Sequence, residues 1–147
     1  NSFSESVHNM MYQTAKLGGG DVYSDFYWVS KVREEIDKYI QDDNCGCMLT
    51  ASAYREMIRV IEELRSKKGI VRLPDIPIYM VAGAEDQRGG CGNAMMKIAA
   101  ILTEKGHNEV AYKLYKDCYH DILHDSCKAC VTKDIIAWIE QKLNRRG

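Results

Sequence analysis

Ile76-Pro77-Ile78-Tyr79-Met80-Val81-Ala82-Gly83-Ala84-Glu85-Asp86 holds five consecutive apolar residues between a proline and a glycine. A strand with one wet face alternates apolar and polar residues. An unbroken run predicts a strand covered on both faces, as in a parallel sheet. Downstream, a loop over 85–92 leads into a helix over 93–105 built on Met96, Ile98, Ala99, Ile101 and Leu102, which Gly106 stops. Val110-Ala111-Tyr112-Lys113-Leu114-Tyr115 reads as a second strand. A polar loop and a helix over 133–143 follow, with Ile135, Ile136, Trp138, Ile139 and Leu143 inward. The order strand, helix, strand, helix over 69–147 implies parallel strands joined by a right-handed crossover, hence an α/β fold.

Upstream the texture is helical, and Pro74-Asp75-Ile76-Pro77 punctuates the change. Residues 1–20 carry Phe3, Val7, Met10, Met11, Ala15 and Leu17 at a loose helical period, ended by Gly18-Gly19-Gly20. A helix over 30–40 places Val32, Ile36, Tyr39 and Ile40 on one face, with Ser30 as its N-cap. A third starts at Thr50 or Ser52 and runs to about 67, with Tyr54, Met57, Ile58, Ile61 and Leu64 as its apolar stripe. Two units follow from this: a helical segment, 1–68, and a strand-helix-strand-helix part, 69–147.

Composition bounds the function. With 147 residues, 46% apolar and 28% charged, the chain can bury one core. Twenty basic residues against twenty-one acidic ones argue against a sequence-blind nucleic-acid binder or a polybasic membrane protein. No apolar run approaches the ~18 residues of a membrane span. The start, Asn1-Ser2-Phe3-Ser4, lacks a Met and reads as an excised or processed piece. The six cysteines follow no disulfide framework, and six free thiols fit a reducing, cytoplasmic setting.

In open α/β sheets the working groups lie at the carboxyl ends of the strands. Those ends are Ala84-Glu85-Asp86 and Asp117-Cys118-Tyr119-His120, so an acid and a histidine sit at neighbouring strand ends. Asp86 can orient the His120 imidazole so that its other nitrogen acts as a base, although loop Asp and His residues are often only solvated. A rival constellation is His120-x3-His124-x2-Cys127-x2-Cys130, whose ligand types suit tetrahedral zinc. Its four ligands crowd into eleven residues, whereas structural zinc sites use two separated pairs. Ordinary thiols at Cys127 and Cys130 are the simpler reading.

The stretch 76–86 with Gly89-Gly90-Cys91-Gly92, and Leu114-Tyr115-Lys116-Asp117-Cys118-Tyr119-His120-Asp121-Ile122-Leu123 with Ile135-Ile136-Ala137-Trp138-Ile139, resemble the end of an α/β-hydrolase. The group they resemble is that of the lysophospholipases and monoacylglycerol lipases. In that family the acid follows the seventh strand and the histidine the eighth, the positions of Asp86 and His120. Asp25-Phe26-Tyr27-Trp28-Val29-Ser30, Tyr39-Ile40-Gln41-Asp42 and Cys45-Gly46 with Thr50 resemble the lid inserted between the sixth and seventh strands. Departures are Gln87 and Asp43 where the family often has Pro, Tyr119 for a common Arg, and His124-Asp125 for an Asn-Glu pair. No Gly-x-Ser-x-Gly occurs, so the nucleophile elbow is missing. Strands one to six, the serine and the oxyanion-hole amides would lie before Asn1.

The resemblance implies a serine ester hydrolase acting on lysophospholipids or monoacylglycerols. His120 would be base then acid, Asp86 its orienter, and no cofactor or metal is implied. Among Met10, Met11, Phe26, Tyr27, Trp28, Met48 and Leu49, most are expected to be core, and Trp28 is the best candidate to line an acyl site. Cys45-x-Cys47 is expected to pack within the lid. The expected partners are a small lipid ester and either the missing N-terminal part or a second copy, joined at the open strand edge. The alternative from another class is a small zinc-binding or helical interaction module without catalysis.

Overall fold

The computed structural model describes residues 5–7, 9, 26–65 and 73–144, with side chains of 64 and 65 excepted. Its elements are α1 (Arg33–Gln41), α2 (Ala51–Arg65), β1 (Ile78–Gly83), α3 (Asn93–Glu104), β2 (Val110–Tyr115) and α4 (Lys128–Asn144). β1 and β2 pair in parallel, from Ile78 opposite Val110 to Gly83 opposite Tyr115, with α3 as the crossover. Both strands lie where Pro77, Gly83 and the apolar runs put them. Of the helix expected over 1–20, residues 5–7 and 9 are helical. Met10, Met11 and the glycine run lie outside the described residues, as does the expected boundary at 68/69.

β1 is half-buried along most of its length rather than covered on both faces. Among the described residues it has a neighbour on one side only, so its other edge lacks the cover that the apolar run anticipates. The core sits beneath the carboxyl ends of the strands: Tyr115, Cys118, Ile122 and Val131, with Val81, Cys127 and Ile135 packed against them. The loop bearing His120 is therefore anchored by the core itself.

α4 begins at Lys128, earlier than expected, and its first turn supplies the fully buried Val131. Its inward stripe is Val131, Ile135, Trp138 and Lys142, at i, i+4, i+7 and i+11. Trp138 stacks on Tyr79 with ring centroids 5.4 Å apart, and the Lys142 ammonium, 5.7 Å from the Trp138 ring, pairs with Glu109. Ile136, Ile139 and Leu143, expected inward, are turned about 100° away and are 44–64% exposed. Asp134 fastens the helix to β2 by accepting from Lys113 Nζ at 2.6 Å and the Tyr115 hydroxyl at 2.7 Å.

In α3 the buried side chains are Met95, Ala99 and Leu102, while Met96 and Ile98 face outward, against expectation. Gly106 ends that helix at φ 92°, as a left-handed stop should. In α2 only Tyr54 of the expected stripe is buried. Met57 is half-buried, Ile58 and Ile61 are exposed, and the Leu64 side chain lies outside the described residues. Thr50 is the residue that caps α2, accepting from the Ala53 N–H at 3.2 Å. α1 starts at Arg33 with Val32 as N-cap, so Ser30 is not its cap. Ser30 is instead buried, accepting from the Val32 N–H and donating to the His124 carbonyl.

The cysteines also depart from expectation. Cys118 and Cys127, nine residues apart on either side of the histidine loop, form a disulfide, leaving Cys45, Cys47, Cys91 and Cys130 as thiols. Cys45 is half-buried, but Cys47 is exposed rather than packed. Phe26, Tyr27 and Trp28 are half-buried, whereas Met48 and Leu49 face outward. No described helix is long and apolar enough to cross a membrane.

Candidate active site

β1 ends at Gly83, a position where nothing larger fits. A Cβ at that position would lie 2.0 Å from the Tyr119 carbonyl oxygen and 2.3 Å from that of Cys118. The two post-strand loops thus cross in contact, and the Ala84 and Glu85 N–H groups continue the pairing to Tyr115 and Cys118 carbonyls. The chain then turns sharply: the Asp86 N–H reaches the Gly83 carbonyl, and the Cys91 N–H returns to the Asp86 carbonyl at 2.7 Å. Gly89 passes so close that a Cβ would sit 2.6 Å from Asp86 Oδ2.

This turn holds the Asp86 carboxylate. Oδ1 accepts the Arg88 N–H at 3.0 Å, and Oδ2 meets His120 Nδ1 at 2.9 Å. The Asp86 side chain is 8% exposed and that of His120 48%. Burial resists ionisation of Asp86, yet the hydrogen bonds from His120 and the Gly89 and Arg88 amides outweigh it and hold the carboxyl below its ordinary range. The hydrogen bond to Asp86 raises the His120 pKa, and burial and the nearby Arg88 cation only partly oppose this. One imidazole nitrogen is thus committed to a buried carboxylate, and the half-exposed ring keeps Nε2 for chemistry.

The histidine loop is built around a residue that sequence reading noted only as a departure. Asp125 is 1% exposed, and its carboxylate accepts the Tyr119 and Ser126 N–H groups at 2.7 Å and the Lys31 N–H at 3.2 Å. It stands three residues before the first residue of α4, and the three amides it accepts all lie outside that helix. Asp117 turns the chain out of β2 in the left-handed region at φ 59°, a conformation Asp tolerates.

The 28–31 segment supports the same loop. Trp28 and Val29 carbonyls accept the His120 and Asp121 N–H groups at 3.3 and 2.8 Å, and the Ser30 hydroxyl donates to the His124 carbonyl at 2.8 Å. Lys31 Nζ lies 3.2 Å from Glu85 and 3.4 Å from Asp117, bridging both post-strand loops. The Trp28 ring meets the His120 ring edge-on, centroids 5.1 Å apart, and the Arg88 guanidinium lies 3.9 Å over Trp28. Asp86, His120 and Trp28 therefore come together, and Arg88, passed over in the sequence, joins them.

The zinc constellation is drawn apart. Cys127 is bonded to Cys118, His120 to Asp86, and His124 Nδ1 to Asp121 at 2.9 Å. Among the described residues no three His, Cys, Asp or Glu side chains converge as a metal would need.

The sequence pattern of the Hydrolase_4 family, described as serine aminopeptidase S33, matches residues 2–127. The chain belongs to this family. Among solved structures, a highly thermostable carboxyl esterase from Bacillus coagulans, in complex with glycerol, matches this S33-family chain with a TM-score of 0.72 at 20% identity. The match covers 93% of this chain and 45% of the esterase, so the S33-family chain spans less than half of that neighbour's length. That likeness shows the fold, and two parallel strands with their helices fit the C-terminal portion of an α/β-hydrolase sheet. No curated protein matches the chain.

Proposed function

We propose that this chain supplies the acid and base of a serine ester hydrolase acting on monoacylglycerols or lysophospholipids. The observation that carries the reading is the 2.9 Å contact between the buried Asp86 carboxylate and the half-exposed His120 at adjacent strand ends. With Nδ1–H donated to Asp86, Nε2 carries the lone pair. It takes the proton of a serine hydroxyl as that oxygen attacks the ester carbonyl, and returns it to the departing alcohol. Water repeats the cycle on the acyl-enzyme, and Asp86 stabilises the imidazolium in both halves. The serine and the oxyanion donors would come from chain outside these residues, which contain no Gly-x-Ser-x-Gly.

The segment 1–68 acts as a lid in this reading, and Trp28 beside His120 lines the acyl site. The glycerol bound by the esterase neighbour suits a glyceride leaving group. The partner is an N-terminal part that completes the sheet at β1, or failing that a second copy.

The test is hydrolysis of a monoacylglycerol and a lysophosphatidylcholine by the chain alone and by the chain joined to that N-terminal part. Turnover is expected only from the joined protein, falling at least ~10³-fold in His120→Ala. Turnover by the chain alone, or turnover surviving His120→Ala, overturns the reading. Cleavage of an aminoacyl amide but no ester would replace it with the peptidase activity of the family's description.

A further inference from the structure

A single hydrogen bond at Nδ1 sets the tautomer of His120 but leaves the ring free to swing about that bond. Something else must hold the plane of the imidazole. Trp28 is placed to do so: its ring edge packs on His120 at 5.1 Å, with 62° between the planes, and its carbonyl accepts the His120 N–H. Trp28 is itself held by Arg88, whose guanidinium lies 3.9 Å from the indole centroid. A cation over an indole face is attracted by the ring quadrupole, and the planar guanidinium suits this contact better than an ammonium. Arg88 belongs to the same turn as Asp86 and donates its N–H to that carboxylate. One turn thus reaches the imidazole by two routes, directly through Asp86 and indirectly through Trp28.

We propose that Arg88 is a positioning residue for His120, holding Trp28 against the imidazole so that the ring keeps the orientation the Asp86 hydrogen bond leaves open. The consequence for rate rests on the hydrolase reading above, whereas the ordering of the ring does not. The charged groups facing His120 are Asp86 and Arg88 from the turn after β1 and Asp121 from its own loop. The 28–31 segment brings the uncharged indole, its Lys31 being engaged by Glu85 and Asp117. Arg88 opposes the imidazolium that both carboxylates favour, so its removal has an electrostatic signature as well as a mechanical one.

The experiment is an NMR titration and ring-relaxation measurement on His120 in the joined protein. It compares wild type with Arg88→Ala, Arg88→Lys and Trp28→Ala, with kcat and KM measured alongside. Arg88→Ala is expected to raise the His120 pKa, increase ring motion and lower kcat roughly ten-fold, with KM little changed. Arg88→Lys keeps the charge, so it should titrate like wild type while still loosening the ring. In a Trp28→Ala background, Arg88→Ala should cost nothing further in kcat at pH values where His120 is fully neutral, since the intermediary is gone and only the electrostatic effect remains. Unchanged ring relaxation in both Arg88 variants, or equal losses from Arg88→Ala with and without Trp28, overturns the proposal. If the wild-type protein cleaves no ester, the hydrolase reading fails and the ring relaxation still decides this one.

Discussion

Asp86 and His120 pull each other's titration in opposite directions, and the signs give a prediction. The lowered Asp86 pKa contributes stability that is present above the ordinary carboxyl range and lost as pH falls through the folded value. The raised His120 pKa contributes stability that is present below the ordinary imidazole range and lost as pH rises through the folded value. The pair's contribution is therefore full between the ordinary carboxyl and imidazole ranges, with Asp86 ionised and His120 protonated. Catalysis by the neutral imidazole needs a pH above that window, so kcat/KM should rise through a pKa above the ordinary histidine value. Asp86→Asn should shift that limb to lower pH and reduce kcat by roughly 10⁴-fold through loss of the correct tautomer. A pH–rate profile of the two proteins checks both statements, and an unmoved limb contradicts them. The acid and histidine were legible in the sequence because strand ends advertise them. Arg88 and Asp125 were not, because a cation over a ring and a carboxylate gripping three amides leave no spacing pattern.

At the scale of elements, the strands were readable and the helix faces were not. Pro77 and Gly83 bracket β1, and apolar residues fill β1 and all of β2 but Lys113, so pattern and punctuation agree. For α4, counting apolar residues picks out Ile136, Ile139 and Leu143, but the face against the sheet includes Lys142, 18% exposed through its side chain. A long aliphatic stem buried beneath a charged end is invisible to a hydrophobic count. The junction of the histidine loop with α4 rests on Asp125, so Asp125→Ala should leave the Tyr119, Ser126 and Lys31 amides short of their acceptor. A loss of about 3 kcal/mol is expected for such unsatisfied buried donors, read as a lower denaturant midpoint at unchanged slope. Asp125→Asn, which keeps an acceptor oxygen, should recover part of it. Equal midpoints for wild type and Asp125→Ala would show that the loop is held elsewhere.

For the molecule as a whole, the governing fact is a two-stranded parallel sheet among the described residues, paired on one side of β1 only. So small a sheet is marginal by itself, and an unpaired edge invites another strand. The isolated chain should therefore associate in a concentration-dependent way in sedimentation, and joining it to the N-terminal part should abolish that association. A monodisperse monomer of the isolated chain at high concentration would show that the edge needs no cover. The central claim, that His120 activates a serine lying beyond these residues, is tested most directly with a fluorophosphonate probe. The joined protein should be phosphonylated on one serine outside the 147 residues, with fluoride leaving as His120 takes the hydroxyl proton. His120→Ala should slow that labelling by at least ~10³-fold while the protein stays folded. Labelling at an undiminished rate in His120→Ala, or none in the wild-type joined protein, would contradict the account.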